Sequence, residues 1–370
     1  MRLPCASCAT TRFRKGVCCY PQLLSHNMHS HAETFEGATP LPNLTAQMTR
    51  IPKDHFWPLP KPKTQNGKPR RTGVEIEFTN LTETETANIV QTLWGGQAEA
   101  DSEHEITISD TELGKVRIEL DIALRDRTGS IIADKLLQWS RAVVPVEIVT
   151  EPLLETQLPR VEKLIDALVE AGAEGSQDGV FYGFGVHLNT EIAGEAAADV
   201  LPVVRAFALM EDWLRAIDPV DPSRRLLPFV DPWPRRLIDV LAVDGPSWGL
   251  DDLAASYADL TPTRNRGLDL LPLLDHLRPD LMAEAVDAEK LKGGRPTYHY
   301  RLPEARLGAA DWSLAYEWNR WILVERVAGN PSLLNELAEK WVDHRGGLTS
   351  LRSDWAKTVN EVLTDAPIWA

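Results

Sequence analysis

A regular alternation of apolar and polar residues begins abruptly at Gly73 and limits the possible folds more than any other feature. Residues 74–79 read Val-Glu-Ile-Glu-Phe-Thr, so every second side chain is apolar. In a β-strand successive side chains point to opposite faces, which gives such a segment one apolar face and one charged face. The ordered domain is therefore predicted to begin at this strand.

The same two-residue period returns in later segments, and helical periodicity separates several of them. Further strands are predicted at residues 105–109, 115–122, 143–149, 180–190 and 298–302. Helices are predicted at residues 82–94, 158–169, 195–217, 311–328 and 331–342. Strands of a covered parallel sheet are apolar on both sides, whereas these are apolar on one side only. The sequence predicts an α+β fold in which helices flank an antiparallel sheet with one open polar face.

The polar positions of these strands are the first candidates for a functional site. They are Glu75, Glu77, Glu119, Asp121, Glu147, His187, Asn189, His299 and Arg301. Two carboxylates about 5 Å apart repel each other by roughly 3 kcal/mol at an effective dielectric constant of 20. Converging acids therefore call for a cation, and oxygen ligands suit Mg²⁺ or Mn²⁺. A polar face that is simply solvated is the alternative, and the pattern alone leaves it open.

Glycines and arginines near these strands add a second set of candidates. Gly183 and Gly185 stand just before His187, and glycine inside a strand marks either a bulge or the close approach of another group. Guanidinium groups bind phosphate and carboxylate in a bidentate manner, although surface arginines also serve solubility. The arginines in question are Arg264, Arg266, Arg301 and Arg306.

Charge and hydropathy exclude several classes of partner. The net charge is -15, and residues 1–72 carry 11 Lys and Arg against 3 Asp and Glu, which leaves a strongly acidic body. An acidic surface repels nucleic acid phosphates and anionic lipid, so we expect neither nucleic acid nor membrane as a partner. No apolar stretch of about 18 residues is present, and a cytoplasmic location is expected.

Composition divides the chain into three parts. Residues 1–71, rich in proline beyond residue 40, are expected to form a disordered leader and linker. Residues 72–328 are expected to form the main folded domain, and residues 329–370 a helical extension packed on it. All four cysteines lie within the first 19 residues. Zinc binding by these cysteines stays an alternative to a disordered leader, although adjacent cysteines suit tetrahedral zinc poorly.

Three of these segments together resemble the amidoligase family, within the glutamine synthetase and glutamate–cysteine ligase group of carboxylate–amine ligases. They are Gly-Val-Glu-Ile-Glu-Phe from Gly73, Val-Glu-Ile-Val-Thr-Glu-Pro from Val146 and Gly-Phe-Gly-Val-His-Leu-Asn from Gly183. The resemblance covers about residues 72–328. It implies a glutamine synthetase-like catalytic fold, whose concave sheet face holds ATP and divalent metals. One departure is His299, which occupies a position that is commonly acidic in the family, two residues before Arg301.

The resemblance also implies roles for the candidate residues. Metal ligands are expected at Glu75, Glu77 and Glu119. Contacts with ATP are expected from His187, Asn189 and Arg266. Catalytic contacts with the metal, the substrate or the phosphate are expected from Glu147, Arg264 and Arg301.

The activity implied by the resemblance is an ATP-dependent ligation that requires Mg²⁺ or Mn²⁺. A small-molecule or peptide carboxylate would be activated as an acyl phosphate and then joined to an amine. Two alternatives stay open from the sequence: a phosphotransferase that performs only the first half of this reaction, and a non-catalytic binding protein with a degenerate site. A metal-dependent hydrolase ranks lower, because no His-x-x-x-His spacing is present.

Overall fold

A nine-stranded antiparallel sheet lies at the centre of the computed structural model, which describes residues 52–102, 104–120, 145–176, 184–218 and 230–369. Its strands are β1 (Arg71–Phe78), β2 (Gln97–Ser102), β3 (Glu105–Thr111), β4 (Gly114–Leu120), β5 (Val146–Thr150), β6 (Leu153–Leu154), β7 (Val186–Glu191), β8 (Leu268–Asp269) and β9 (Thr297–Tyr300). The strand order is β2-β3-β4-β5-β1-β7-β9-β8, and β6 also pairs with β1. Each pairing within the sheet is antiparallel, which confirms the predicted α+β class.

Ten helices accompany the sheet in the described part of the chain. They are α1 (Glu83–Trp94), α2 (Leu158–Glu170), α3 (Ala197–Ile217), α4 (Arg235–Val243), α5 (Leu250–Leu260), α6 (Leu271–Leu277), α7 (Pro279–Ala285), α8 (Leu314–Ala328), α9 (Pro331–Gly346) and α10 (Arg352–Thr364). Across the described ranges, none of these helices combines the length and the apolar character needed to cross a membrane.

The apolar face of the sheet is buried against helices. Val74, Ile76 and Phe78 of β1 are fully buried, as the alternation predicts. On β9, the ring of Tyr300 lies 5.3 Å from the ring of Trp321 in α8, between ring centroids. Because a slip of one residue would exchange the two faces of β1, burial of these apolar side chains fixes the register of the strand.

Local sequence signals mark where two of the predicted helices begin. Thr82 caps α1: its hydroxyl accepts a hydrogen bond from the amide of Glu85, and the Glu85 side chain accepts one from the amide of Thr82. Asn330 caps α9 by accepting from the amide of Leu333, ahead of Pro331. These side chains satisfy amides that have no partner inside the helix.

Several elements differ from the sequence-based expectation. Strand β2 is polar and exposed along its length and carries no apolar alternation, yet it pairs with β3 at the sheet edge. The sequence analysis did not predict the helices between α3 and β9, of which α4 begins directly after Pro234. Helices α6 and α7 likewise carry proline in their first turn. Proline fits a first turn because its missing amide hydrogen would have no partner there.

Residues 52–70 pack against the folded body through specific contacts. The amide of Trp57 donates to Asn319 Oδ1 at 2.8 Å, and the Trp318 indole donates to the carbonyl of Trp57 at 2.8 Å. Arg70 forms a buried bidentate pair with Glu325, at 2.7 and 2.8 Å. The division of the chain into domains stays a prediction, and residues 1–51 lie outside the described ranges. Residues 52–70 nevertheless form a packed segment, because Trp57 and Arg70 have hydrogen-bond partners on α8.

Replacement of Trp57 by alanine tests whether this segment stabilises the fold. Trp57 is buried, and Arg326 stacks on its ring at 4.3 Å. We expect Trp57→Ala to lower the free energy of unfolding by about 3 kcal/mol, since a buried aromatic side chain is lost. The measurement is urea unfolding, with the half-buried neighbour Phe56→Ala as the matched control. Equal and small losses in the two variants would show that the segment is a loose linker.

Glu162 on α2 predicts a pH dependence of stability. It is buried, and it accepts a hydrogen bond from the amide of Ala315 at 3.2 Å. Burial raises the pKa of Glu162 from 4.5 to about 7. A carboxyl whose pKa is higher in the folded than in the unfolded state stabilises the fold below the unfolded value, and this contribution disappears as the pH rises through the folded value.

We therefore expect Glu162→Gln to become more stable relative to the wild type as the pH rises from about 5 to about 8, by roughly 2 kcal/mol. Chemical unfolding at several pH values measures this difference. The exposed Glu170 on the same helix provides the control variant Glu170→Gln, for which no such change is expected. A difference between Glu162→Gln and wild type that does not vary with pH would contradict the prediction.

Candidate functional site

Strand register brings the predicted polar residues together on the open face of the sheet. Glu75 of β1 lies opposite His187 of β7, and Glu77 of β1 lies opposite Glu147 of β5. Farther along, Asn189 of β7 pairs with His299 of β9, which in turn pairs with Asp269 of β8. The side chains of directly opposed residues lie on the same face, so five strands contribute to one cluster.

Glu75 occupies the centre of this cluster and accepts two hydrogen bonds. Its Oε2 lies 2.6 Å from His187 Nδ1, and its Oε1 accepts from Asn189 Nδ2 at 2.8 Å. Burial alone would raise the pKa of this carboxyl, but the hydrogen bond from His187, the charge that His187 and His299 carry when they are protonated at low pH, and the hydrogen bond from Asn189 hold that pKa well below its usual value. Glu75 is therefore ionised at neutral pH.

Glu77 lies beside Glu75 on the same face and is held by the backbone immediately before β7. The amide of Gly185 donates to Glu77 Oε2 at 2.7 Å, and the other carboxylate oxygen lies 3.7 Å from His187 Nε2. Glycine near this strand was expected to mark a bulge or the approach of a ligand. Here a carboxylate of the protein meets the Gly185 amide, whereas Gly183 lies outside the described residues.

The contacts of His187 determine which of its ring nitrogens carries hydrogen. Because the ionised Glu75 carboxylate can only accept, the short contact with Nδ1 assigns the proton to Nδ1. In the neutral ring, Nε2 then keeps its lone pair and faces Glu77. Metal-binding histidines usually have this arrangement, in which a carboxylate accepts the hydrogen of the nitrogen that does not bind the metal.

His299 has a similar carboxylate partner. It is buried, and its Nδ1 lies 3.1 Å from Asp269 Oδ2. Burial lowers the pKa of His299 to about 4, although Asp269 and Glu75 act in the opposite direction, so the ring is neutral at pH 7. Its plane is nearly perpendicular to that of His187, with 5.5 Å between the ring centroids.

Two of the four candidate arginines reach this cluster, whereas Arg306 pairs with Asp218 at 3.0 Å and with Asp311 at 3.1 Å. Arg264 Nε donates to Asp269 Oδ2 at 2.9 Å, and Arg301 Nη1 donates to the carbonyl of Arg264 at 2.7 Å. Arg266 instead donates to Thr261 Oγ1 and to the carbonyl of Pro232, each at 2.7 Å. The contacts therefore connect Arg264 and Arg301 with the site and direct Arg266 toward a loop.

Glu119 lies at the margin of the cluster. It is opposite Glu147 in register, but its Oε2 pairs with Arg117 Nε of the same strand at 3.1 Å. It belongs to neither of the two groups among the described residues whose side chains could together hold a metal ion. Its expected role as a metal ligand stays a prediction, as do the roles of the other candidate residues.

The donor atoms of the cluster fit a divalent cation. Two groups have potential ligand atoms that all lie within 4.8 Å of one another: Glu75 with His187 and His299, and Glu77 with Glu147 and His187. Carboxylate oxygen and neutral imidazole nitrogen are both common ligands of divalent metals. With the neighbouring guanidinium groups, the arrangement can bind a cation together with an anionic group such as phosphate.

Asp269 is a site residue that the sequence analysis missed. It stands in the run Leu268-Asp-Leu-Leu-Pro-Leu-Leu, where it is the lone acid among leucines. A charged residue in such a run must be paired if the run is buried, so the pattern carried a usable signal. The strand β8 is only two residues long, which hides it from any argument based on alternation.

Comparison with known proteins yields a family match. No curated protein matches the chain. A family described as "Putative amidoligase enzyme" matches residues 68–323, which are more than two thirds of the chain. The matched region includes β1, β5, β7, β8 and β9, and therefore every strand that contributes a side chain to the cluster. The chain belongs to this amidoligase family.

Proposed function

We propose that this protein is an ATP-dependent carboxylate–amine ligase whose polar sheet face binds ATP with divalent cations, on a glutamine synthetase-like catalytic fold. Family membership indicates a ligase-type enzyme. The observation that carries the finer proposal is the convergence of Glu75, Glu77, Glu147 and His187 on the open face of one antiparallel sheet. Acids gathered at this density favour bound cations, which ATP also requires.

The fit of Mg²⁺ or Mn²⁺ rests on the available donors. Glu77, Glu147 and His187 would hold one cation, with Glu75 orienting the ring of His187. A divalent ion at this position would neutralise phosphate charge during phosphoryl transfer. Positioning and charge neutralisation account for most of the catalysis of such transfers, so side chains on rigid strands suit the task.

The proposed reaction has two steps. A carboxylate oxygen of the first substrate attacks the γ-phosphorus of ATP, the bond to ADP breaks, and an acyl phosphate forms. The amine nitrogen of the second substrate then attacks the acyl carbon and loses a proton, while phosphate leaves. Neither step requires a nucleophile from the protein. This agrees with the sequence after residue 19, which contains no cysteine.

The remaining site residues have tasks that follow from their positions. Arg264 and Arg301, next to the histidine pair, would bind phosphate oxygens and align the group to be transferred. Glu147 of β5 lies opposite Glu77 of β1 and would contact either the cation or the incoming amine. Asn189 holds Glu75 through the hydrogen bond to Oε1, so its contribution to nucleotide binding would be indirect.

Phosphate release from ATP tests the proposal directly. We expect turnover that requires Mg²⁺ or Mn²⁺ and, in screens of pooled amino acids, peptides and amines, requires both an acid and an amine. The double variant Glu75→Gln/Glu77→Gln should lose roughly 100-fold or more in kcat, because charge stabilisation is removed. Glu99→Gln on the exposed edge strand β2 is the matched control. Turnover without an amine would instead identify a phosphotransferase, and no binding of Mg-ATP would favour a non-catalytic binding protein.

The arginines provide an independent comparison. We expect Arg301→Gln to reduce kcat/KM for ATP by roughly 100-fold, since a charge-assisted contact with phosphate is lost. Arg266→Gln should have a much smaller effect, because Arg266 donates to Thr261 and Pro232. Steady-state kinetics measures both, and thermal unfolding verifies that both variants are folded. Equal losses would mean that Arg266 also contacts the nucleotide.

A further inference from the structure

The imidazole of His299 presents an unsatisfied nitrogen toward the polar face of the sheet. The residue is 7% exposed, and its Nε2 has no hydrogen-bond partner among the described residues. A buried polar atom without a partner is destabilising, and most such atoms in native proteins have one. The position of Nε2 therefore calls for a ligand.

Asp269 orients this ring so that Nε2 is the free nitrogen. Its Oδ2 lies 3.1 Å from His299 Nδ1, and an ionised carboxylate there requires the hydrogen on Nδ1. Asp269 is itself held by Arg264 Nε at 2.9 Å and by the amide of Leu271 at 3.0 Å. Such a fixed carboxylate–histidine pair is typical of metal-binding histidines.

The free nitrogen is aimed at Glu75. His299 Nε2 lies 3.9 Å from Glu75 Oε2, which is too long for a hydrogen bond. Two ligands that each bind one cation at about 2.1 Å lie at most about 4.2 Å apart, so this separation suits a shared cation. His187 is the third member of the group, and its ligand atom lies within 4.8 Å of the other two, so a small shift of its side chain would bring all three to one cation.

We propose that His299 is a metal ligand and that the group of Glu75, His187 and His299 binds a divalent transition metal in preference to Mg²⁺. Two imidazoles and one carboxylate suit metals such as Zn²⁺, Co²⁺ and Fe²⁺, whereas Mg²⁺ prefers oxygen ligands. This inference rests on the proposed function only in placing a cation on this face.

Direct metal binding by the full chain tests the preference without any enzymatic activity. Cys5, Cys8, Cys18 and Cys19 are replaced by serine, so that thiolates do not bind the probe. Co²⁺ is titrated and followed by its visible spectrum, and Mg²⁺ is added as a competitor. We expect Co²⁺ to bind roughly 100-fold or more tightly than Mg²⁺, because imidazole favours the transition metal.

Variants at His299 separate its role as a ligand from a structural role. We expect His299→Gln to weaken Co²⁺ binding roughly tenfold or more and to change the spectrum, while Mg²⁺ binding stays the same. His299→Glu should shift the preference toward Mg²⁺, because it restores an oxygen ligand. A His299→Gln variant with unchanged Co²⁺ affinity and spectrum would overturn the proposal, and His299→Glu decides the matter if that variant fails to fold.

Asp269 and a remote histidine supply the controls. Asp269→Asn should weaken Co²⁺ binding roughly tenfold while retaining the spectrum, because the ligands stay the same and only their orientation is less fixed. His276 is the matched control: its Nε2 lies 3.1 Å from Glu195 Oε1, and it is not part of the cluster. The variant His276→Gln should bind Co²⁺ as the wild type does. Loss of Co²⁺ binding in His276→Gln would assign the signal to the surface and contradict the proposal.

The two proposals fail in different ways. If the chain binds Co²⁺ through His299 but shows no ligase activity with any acid and amine, the ligase assignment falls and the metal preference stands. If it shows Mg²⁺-dependent ligation while His299→Gln changes no metal affinity, the ligase assignment stands and the metal preference falls.

Discussion

The pairing of β1 with β7 is the constraint on which the rest of the site depends. Val74, Ile76 and Phe78 are fully buried, so β1 cannot slip by one residue without exposing them and burying two acids. That register sets Glu75 opposite His187, and the same strand sets Glu77 opposite Glu147 through β5. The core on one face of the sheet therefore determines the chemistry on the other face.

The carboxylates on the polar face are stabilised by hydrogen-bond donors of the protein itself. Glu75 accepts from His187 and Asn189, and Glu77 accepts from the amide of Gly185. These contacts reduce the repulsion between neighbouring carboxylates, which would otherwise oppose folding. They also preorganise the carboxylates, so that a bound cation would need little rearrangement of the strands.

The main strands and most site residues were predictable because alternation reports burial on one side. Glu75 and His187 belong to regular strands, and each came from that pattern alone. Asp269 did not, because its strand has two residues and its carboxylate is recognised only through His299, which is distant in sequence. Strand β2 was missed for a related reason: an exposed edge strand buries neither face, so its sequence carries no periodic signal.

Each of the two histidines of the site is oriented by a carboxylate, and this limits which carboxylate oxygens can bind a cation. Glu75 orients His187, and Asp269 orients His299, in two rings that stand nearly perpendicular. A carboxylate that holds a histidine is less available as a direct ligand, so Glu75 must share its oxygens between His187, Asn189 and any cation near His299. Glu75 therefore couples the two histidines of the site.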